Sequence, residues 1–188
     1  MSKLYIPVLA GTTREKRRSI YAARLVAEVG NTFDEIQTEV IDPIDYTFPG
    51  DGKDPENKDP KYTEKTAKAQ GFFIVTPEYN HSIPGSLKRM LDSELTNYRH
   101  KPVAFGGVSS GPWGGVRAIE QLAIIVRNMG LVSTSKDIQF PRINELFDDK
   151  GVLQNEDFIQ YIHKAWIELI WMSKVLKAGR DNESSNNI

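Results

Sequence analysis

The chain has 188 residues, 39% of them hydrophobic and 26% charged, with a formal net charge of −1. That is the make-up of an ordinary soluble globule, most simply one domain, long enough to bury roughly 70% of the surface its unfolded chain exposes. The near-neutral balance gives no general pull toward nucleic acid or an anionic membrane, and the lack of cysteine excludes disulfides, thiolate metal sites and a cysteine nucleophile like that of the small phosphatases.

Met1-Ser2-Lys3 shows no signal-peptide pattern, and no apolar run nears the ~18 residues of a membrane span, so a cytoplasmic protein is expected. Leu4 to Ala10 is an apolar run read as the first strand. Pro7 inside it cannot donate to a ladder and must fall where no neighbour needs its N–H. The loop Gly11-Thr12-Thr13-Arg14-Glu15-Lys16-Arg17-Arg18-Ser19 then opens a helix with apolar positions Ile20, Ala23, Val26 and Ala27, and Ser19 is a candidate N-cap. Such a loop suits an anion, because free N–H groups, the helix dipole and four basic side chains can all face it. It has neither the Gly-Lys-Ser/Thr ending of a Walker loop nor the three glycines of a dinucleotide fingerprint, and a solvated basic turn stays open as a reading.

Ile36, Thr38, Val40 and Ile41 give a second strand. From Asp42 to Asp59, prolines and glycines break any period. This long loop is expected to be irregular surface, or else a flap presenting Tyr46 and Phe48 to a ligand. Lys61 to Gln70 is a helix facing inward through Tyr62, Thr66 and Ala69. Gly71 to Val75 is a third strand, buried on both faces. The loop that follows, Thr76-Pro77-Glu78-Tyr79-Asn80-His81-Ser82-Ile83-Pro84-Gly85, offers a ring, hydroxyls and amides, stiffened by prolines, and leads to a helix from Ser86 to Asp92. Pro102 to Val108 is a fourth strand. Behind it stands Ser109-Ser110-Gly111-Pro112-Trp113-Gly114-Gly115, in which glycines let backbone approach a ligand and Trp113 either packs under the loop or lies near the ligand. A helix from Val116 to Met129, a fifth strand within Leu131 to Phe140, a long helix from Glu156 to Ala178 and a polar tail, 181–188, complete the chain. The last helix carries Trp166 and Trp171 on different sides, which leaves one side for a subunit contact.

Strands and helices alternate five times. The expected fold is therefore α/β: a flavodoxin-like, doubly wound, five-stranded parallel sheet in the order 2-1-3-4-5, forming one domain over residues 1–180. In that order the loops after the first, third and fourth strands converge at the carboxyl edge, where open α/β sheets bind ligands.

Pro77-Glu78-Tyr79-Asn80 with Ser82, Pro84-Gly85 and Leu87-Lys88 closely resembles the flavin-ring loop of the NADPH-dependent FMN reductase family, which includes quinone and azo-dye reductases. The first loop is similar to that family's phosphate loop, with Thr12, Arg14 and Ser19 in the matching places, although Tyr21 stands where many relatives carry asparagine nearby. The third loop is similar to its Ser-x-Gly-x-x-Gly segment. The resemblance implies an FMN site made by Thr12, Arg14, Ser19, Pro77, Glu78, Tyr79, Asn80, Ser82, Ser109, Ser110, Gly111 and Gly114, with Trp113 beside them. It further implies hydride transfer from NADPH or NADH to the flavin, a small-molecule electron acceptor and a homodimer or homotetramer. No residue is expected to act as acid or base, since the flavin carries the chemistry; His81 is a solvated or structural histidine before it is a proton donor. No metal site is expected. The alternatives are a flavodoxin-type electron carrier, against which the weak net charge and the basic first loop count, and a non-redox phosphate-ligand sensor.

Overall fold

The computed structural model describes residues 3–48 and 58–186, with side chains through residue 182. Its strands are β1 (Leu4–Tyr5), β2 (Val8–Ala10), β3 (Ile36–Gln37), β4 (Val40–Ile41), β5 (Phe72–Pro77), β6 (Pro102–Val108), β7 (Val132–Ser133) and β8 (Ile138–Phe140). The helices are α1 (Ser19–Gly30), α2 (Pro60–Lys68), α3 (Gly85–Asp92), α4 (Val116–Asn128), α5 (Ile143–Leu146) and α6 (Asp157–Asn186). Every strand pair is parallel. One sheet runs in the order β4-β2-β5-β6-β7 with β8 also on β6, and β1 pairs with β3 as a separate ribbon.

The expected five strands in simple 2-1-3-4-5 order are thus corrected: the first, second and fifth segments are each broken in two, giving a six-stranded sheet and a two-stranded one. Pro7 explains the first break. Its carbonyl still accepts from the N–H of Phe73 at 3.0 Å, but it has no N–H to return, so the ladder lapses between β1 and β2.

The two faces of the sheet bury separate cores. On one side α1 and α6 close over Val8, Phe73, Val75, Ala104 and Phe140; on the other, α2, α3 and α4 close over Leu9, Phe72, Ile74, Val103 and Phe105. Trp166 of α6 is fully buried, 5.2 Å from the ring of Phe73, and its indole N–H donates to the carbonyl of Val26 at 2.9 Å. Burial of so large a ring contributes on the order of 3 kcal/mol, and the hydrogen bond removes the penalty of its polar edge. Trp171, on the opposite side of α6, is 61% exposed. The helix continues past the expected Ala178 end to Asn186.

Asp59 starts α2 as expected of a capping carboxylate, accepting from the N–H groups of Lys61 and Tyr62, with Pro60 in the first turn. Of the loop read over Asp42 to Asp59, residues 49–57 lie outside the described residues. Its first part forms a 3-10 turn, Pro43–Asp45, and Tyr46 and Phe48 pack against Tyr62 at 5.8 and 5.2 Å between centroids. Those two rings therefore serve the core over α2 and not a flap. No described helix is long and apolar enough to cross a membrane.

Candidate functional site

The carboxyl ends of β2, β5 and β6 open on one cleft of about 480 Å3. From the first loop, Thr12, Arg14 and Ser19 line it. Thr12 is almost fully buried; its hydroxyl accepts from the N–H of Arg14 at 3.2 Å and lies 3.1 Å from the hydroxyl of Tyr79, which ties the first loop to the second.

Four basic residues line this end of the cleft but do different work. Arg17 is ion-paired with Asp42, and Arg18 with Asp149 while donating to the carbonyl of Phe147 at 2.8 Å, so both hold the loop in place. Arg14 and Lys16 are exposed, and their side chains have no ion pair among the described residues. Ser19 is corrected as the N-cap: Arg18 occupies that position without a side-chain cap, and Ser19 is the first residue inside α1. Its N–H belongs to the helix's first turn, where N–H groups have no intrahelical acceptor.

From the second loop, Pro77, Glu78 and Tyr79 line the cleft. Tyr79 and Ser82 exchange both backbone hydrogen bonds, at 2.9 and 3.0 Å, around Asn80 and His81, whose φ angles are +50° and +66°. Positive φ at both central residues is the type I′ arrangement. Asn80 and His81 stand at its exposed tip, and Asn80 and Ser82 are not among the lining residues.

The Glu78 side chain is 7% exposed. Its Oε1 accepts from the Nε–H of Arg117 at 2.7 Å and lies 2.6 Å from Nη2 in the ion pair, while its Oε2 is buried without a hydrogen-bond partner. The backbone N–H of Glu78 donates to Val108 at 3.0 Å.

Ser109 and Ser110 bring the third loop to the cleft; Gly111, Trp113 and Gly114 do not line it. The Ser109 hydroxyl donates to the carbonyl of Gly111 at 2.9 Å and its N–H to Phe140 at 3.2 Å. Trp113 does not pack under the loop: it is 65% exposed. The reason is the pair behind it. Gly114 and Gly115 have φ of +59° and +77°, and a Cβ on Gly115 would stand 2.5 Å from the backbone N of Val108. The chain turns flat against β6 there, leaving no room for an indole beneath.

Ile143 and Asn144 of α5 also line the cleft and were not anticipated from the sequence. Pro141 at the end of β8 marks where that turn begins. Nor was Arg117, whose role depends on a side chain thirty-nine positions earlier. A larger cleft of about 570 Å3 lies beside β1, β3 and α2, where the Tyr5 hydroxyl donates to Glu39 at 2.6 Å. Burial, then the bond to Glu39, pushes the Tyr5 hydroxyl well up. None of the three converging loops reaches it.

The sequence profile of the NADPH-dependent FMN reductases matches residues 4–144. The chain belongs to that family. It is 32% identical over 123 residues to an NAD(P)H-dependent FMN reductase, ntnL, of a Nectria species, a match covering 63% of this chain but 58% of that protein. With a quinone reductase of Pseudomonas putida it shares 27% identity over 90% of this chain and 98% of the other. Among solved structures, FerB, a flavoenzyme NAD(P)H:(acceptor) oxidoreductase from Paracoccus denitrificans, superposes with a TM-score of 0.74 at 17% identity, covering 91% and 97% of the two chains. The fold is flavodoxin-like α/β.

Proposed function

We propose that this member of the family binds FMN in the cleft and is an NAD(P)H-dependent oxidoreductase that passes electrons to a quinone, an azo compound or a flavin. The observation that carries the reading is the meeting of three loops in one cleft, through Thr12, Arg14 and Ser19, Pro77, Glu78 and Tyr79, and Ser109 and Ser110.

The donor set fits FMN at both ends. Arg14 and Lys16, without ion-pair partners among the described residues, and the first turn of α1 suit a phosphate. The buried, unpartnered Oε2 of Glu78 calls for a donor such as a ring N–H. FMN when bound supplies the hydride chemistry: it takes a hydride from NADPH or NADH and gives two electrons to the acceptor. The protein orients the ring with Tyr79, already anchored to Thr12, and with the fixed backbone of Glu78. Ser109 and Ser110 line the cleft wall; with the Ser109 hydroxyl committed to the carbonyl of Gly111, the Ser110 hydroxyl is the donor left to stabilise negative charge on the ring edge.

The same reading takes residues 1–180 as one domain working in the cytoplasm as a homodimer or homotetramer. Ile167, Trp171 and Val175, at helical spacing on α6 and each at least half exposed, are its candidate contact. Light scattering of the wild type against Trp171→Asp tests this: a monomeric wild type removes it.

The activity is tested by incubating the purified protein with FMN, filtering, and mixing with NADPH without oxygen. A retained flavin band that bleaches, with turnover on adding a quinone, is expected. A retained band that does not bleach would make the protein an electron carrier, and a colourless protein would refute the site.

A further inference from the structure

We propose that Arg117 is a positioning residue which holds the Glu78 carboxylate so that Oε2 accepts a hydrogen bond from the imide N–H of the flavin's pyrimidine ring. This rests on the reading of the cleft as an FMN site and goes beyond it by assigning the group that reads the ring edge.

The geometry is unusual in one respect. An arginine fork meeting a carboxylate ordinarily spreads two N–H groups over two oxygens. Here Nε and Nη2 both converge on Oε1, at 2.7 and 2.6 Å. Oε2 is left with no partner although it is buried. A buried carboxylate oxygen left bare has lost its water without gaining a donor, so an acceptor kept in this state is matched to a donor that arrives later. Glu78 lines the cleft, and its backbone is fixed by the bond to Val108, so the oxygen cannot seek a partner by moving the chain.

The position of Arg117 supports the same conclusion. It is the second residue of α4, at the positive end of the helix dipole, where a cation is unfavourable without a compensating partner. Glu78 is that partner, across 39 residues of sequence. The pair clamps the second loop to the helix that follows the third loop. On the oxidised isoalloxazine the imide is the one N–H donor, which makes it the complement of a lone acceptor.

The test uses FMN and its N3-methyl analogue, which lacks that donor, titrated into the apoprotein with flavin fluorescence as the readout. The wild type is expected to bind FMN at least tenfold more tightly than the analogue. In Arg117→Met the ratio is expected to shrink to about twofold through loss of FMN affinity, with Arg117→Lys restoring most of it. Equal binding of the two flavins by the wild type overturns the proposal while leaving the FMN reading intact. A ratio that survives Arg117→Met overturns it too, since discrimination would then be steric. If neither flavin binds, the FMN reading falls and the proposal with it. The wild-type ratio needs no variant to fold, and the melting temperature of each variant separates misfolding from altered recognition.

Discussion

Asp137, in the turn before β8, offers a test of how burial governs stability away from the cleft. Its Oδ1 is buried without a hydrogen-bond partner, and burial first, then the carboxylates of Glu120 and Glu168, pushes its pKa up from 3.8 to about 6. The folded protein therefore holds a proton there that the unfolded chain has already lost between about pH 4 and pH 6. Stability contributed by this group is full below pH 4, falls as pH rises through that window, and is gone above it. Converted whole, a rise of that size corresponds to about 3 kcal/mol; water reaches part of the carboxyl, so about 1–2 kcal/mol is the working figure. Asp137→Asn keeps the shape and removes the charge. At pH 7 the variant is expected to be more stable by that amount, a rise in Tm of about 2–8 °C, and at pH 4 the difference should vanish. Urea unfolding at pH 4, 5, 6 and 7, followed by the fluorescence of buried Trp166, measures it. A difference that does not change with pH, or a variant less stable at pH 7, would refute the reasoning.

Trp166→Ala should cost about 3–5 kcal/mol in urea unfolding, because it empties a fully buried site and removes the indole hydrogen bond to the carbonyl of Val26. Gly115→Ala meets the backbone of Val108 at a positive φ and should both lower Tm and weaken FMN binding by tenfold or more, whereas Gly111→Ala, with nothing within 4 Å of its added Cβ, should change neither. Lys101 is buried, and burial lowers its pKa to about 8 even though its ammonium donates to the carbonyls of Thr66 and Ala67 at the end of α2. The unfolded chain keeps that proton to about pH 10.5, so stability should rise from pH 8 to pH 9.5, and Lys101→Met should flatten the rise in urea titrations.

What could be read from the sequence was whatever rests on neighbours along the chain. Phe72–Pro77 and Pro102–Val108 are apolar runs and became the central strands, with the second and third loops at their carboxyl ends. Pro7 was visible as a risk to the first strand, but the break depended on which neighbour wanted its N–H. The basic residues of the first loop looked equivalent; only the fold separates Arg17 and Arg18, bound to Asp42 and Asp149, from Arg14 and Lys16. The sequence left Trp113 either under the loop or near the ligand, and only the turn at Gly114 and Gly115 against β6 rules out the first. Ile143 and Asn144 reach the cleft through α5, a four-residue helix too short to leave a periodic signal.

The tight turn at Asn80 and His81 bears on how this protein can diversify. Two successive side-chain-bearing residues hold a left-handed backbone, each at a cost on the order of 1 kcal/mol, and both flanking backbone bonds are closed. Few substitutions fit such a turn, and a β-branched residue at either position would pull Tyr79 away from Thr12. Sequence change is therefore absorbed more readily at Gly111, where an added Cβ meets open space, leaving the turn at Asn80 and His81 as an inherited constant while its surroundings drift.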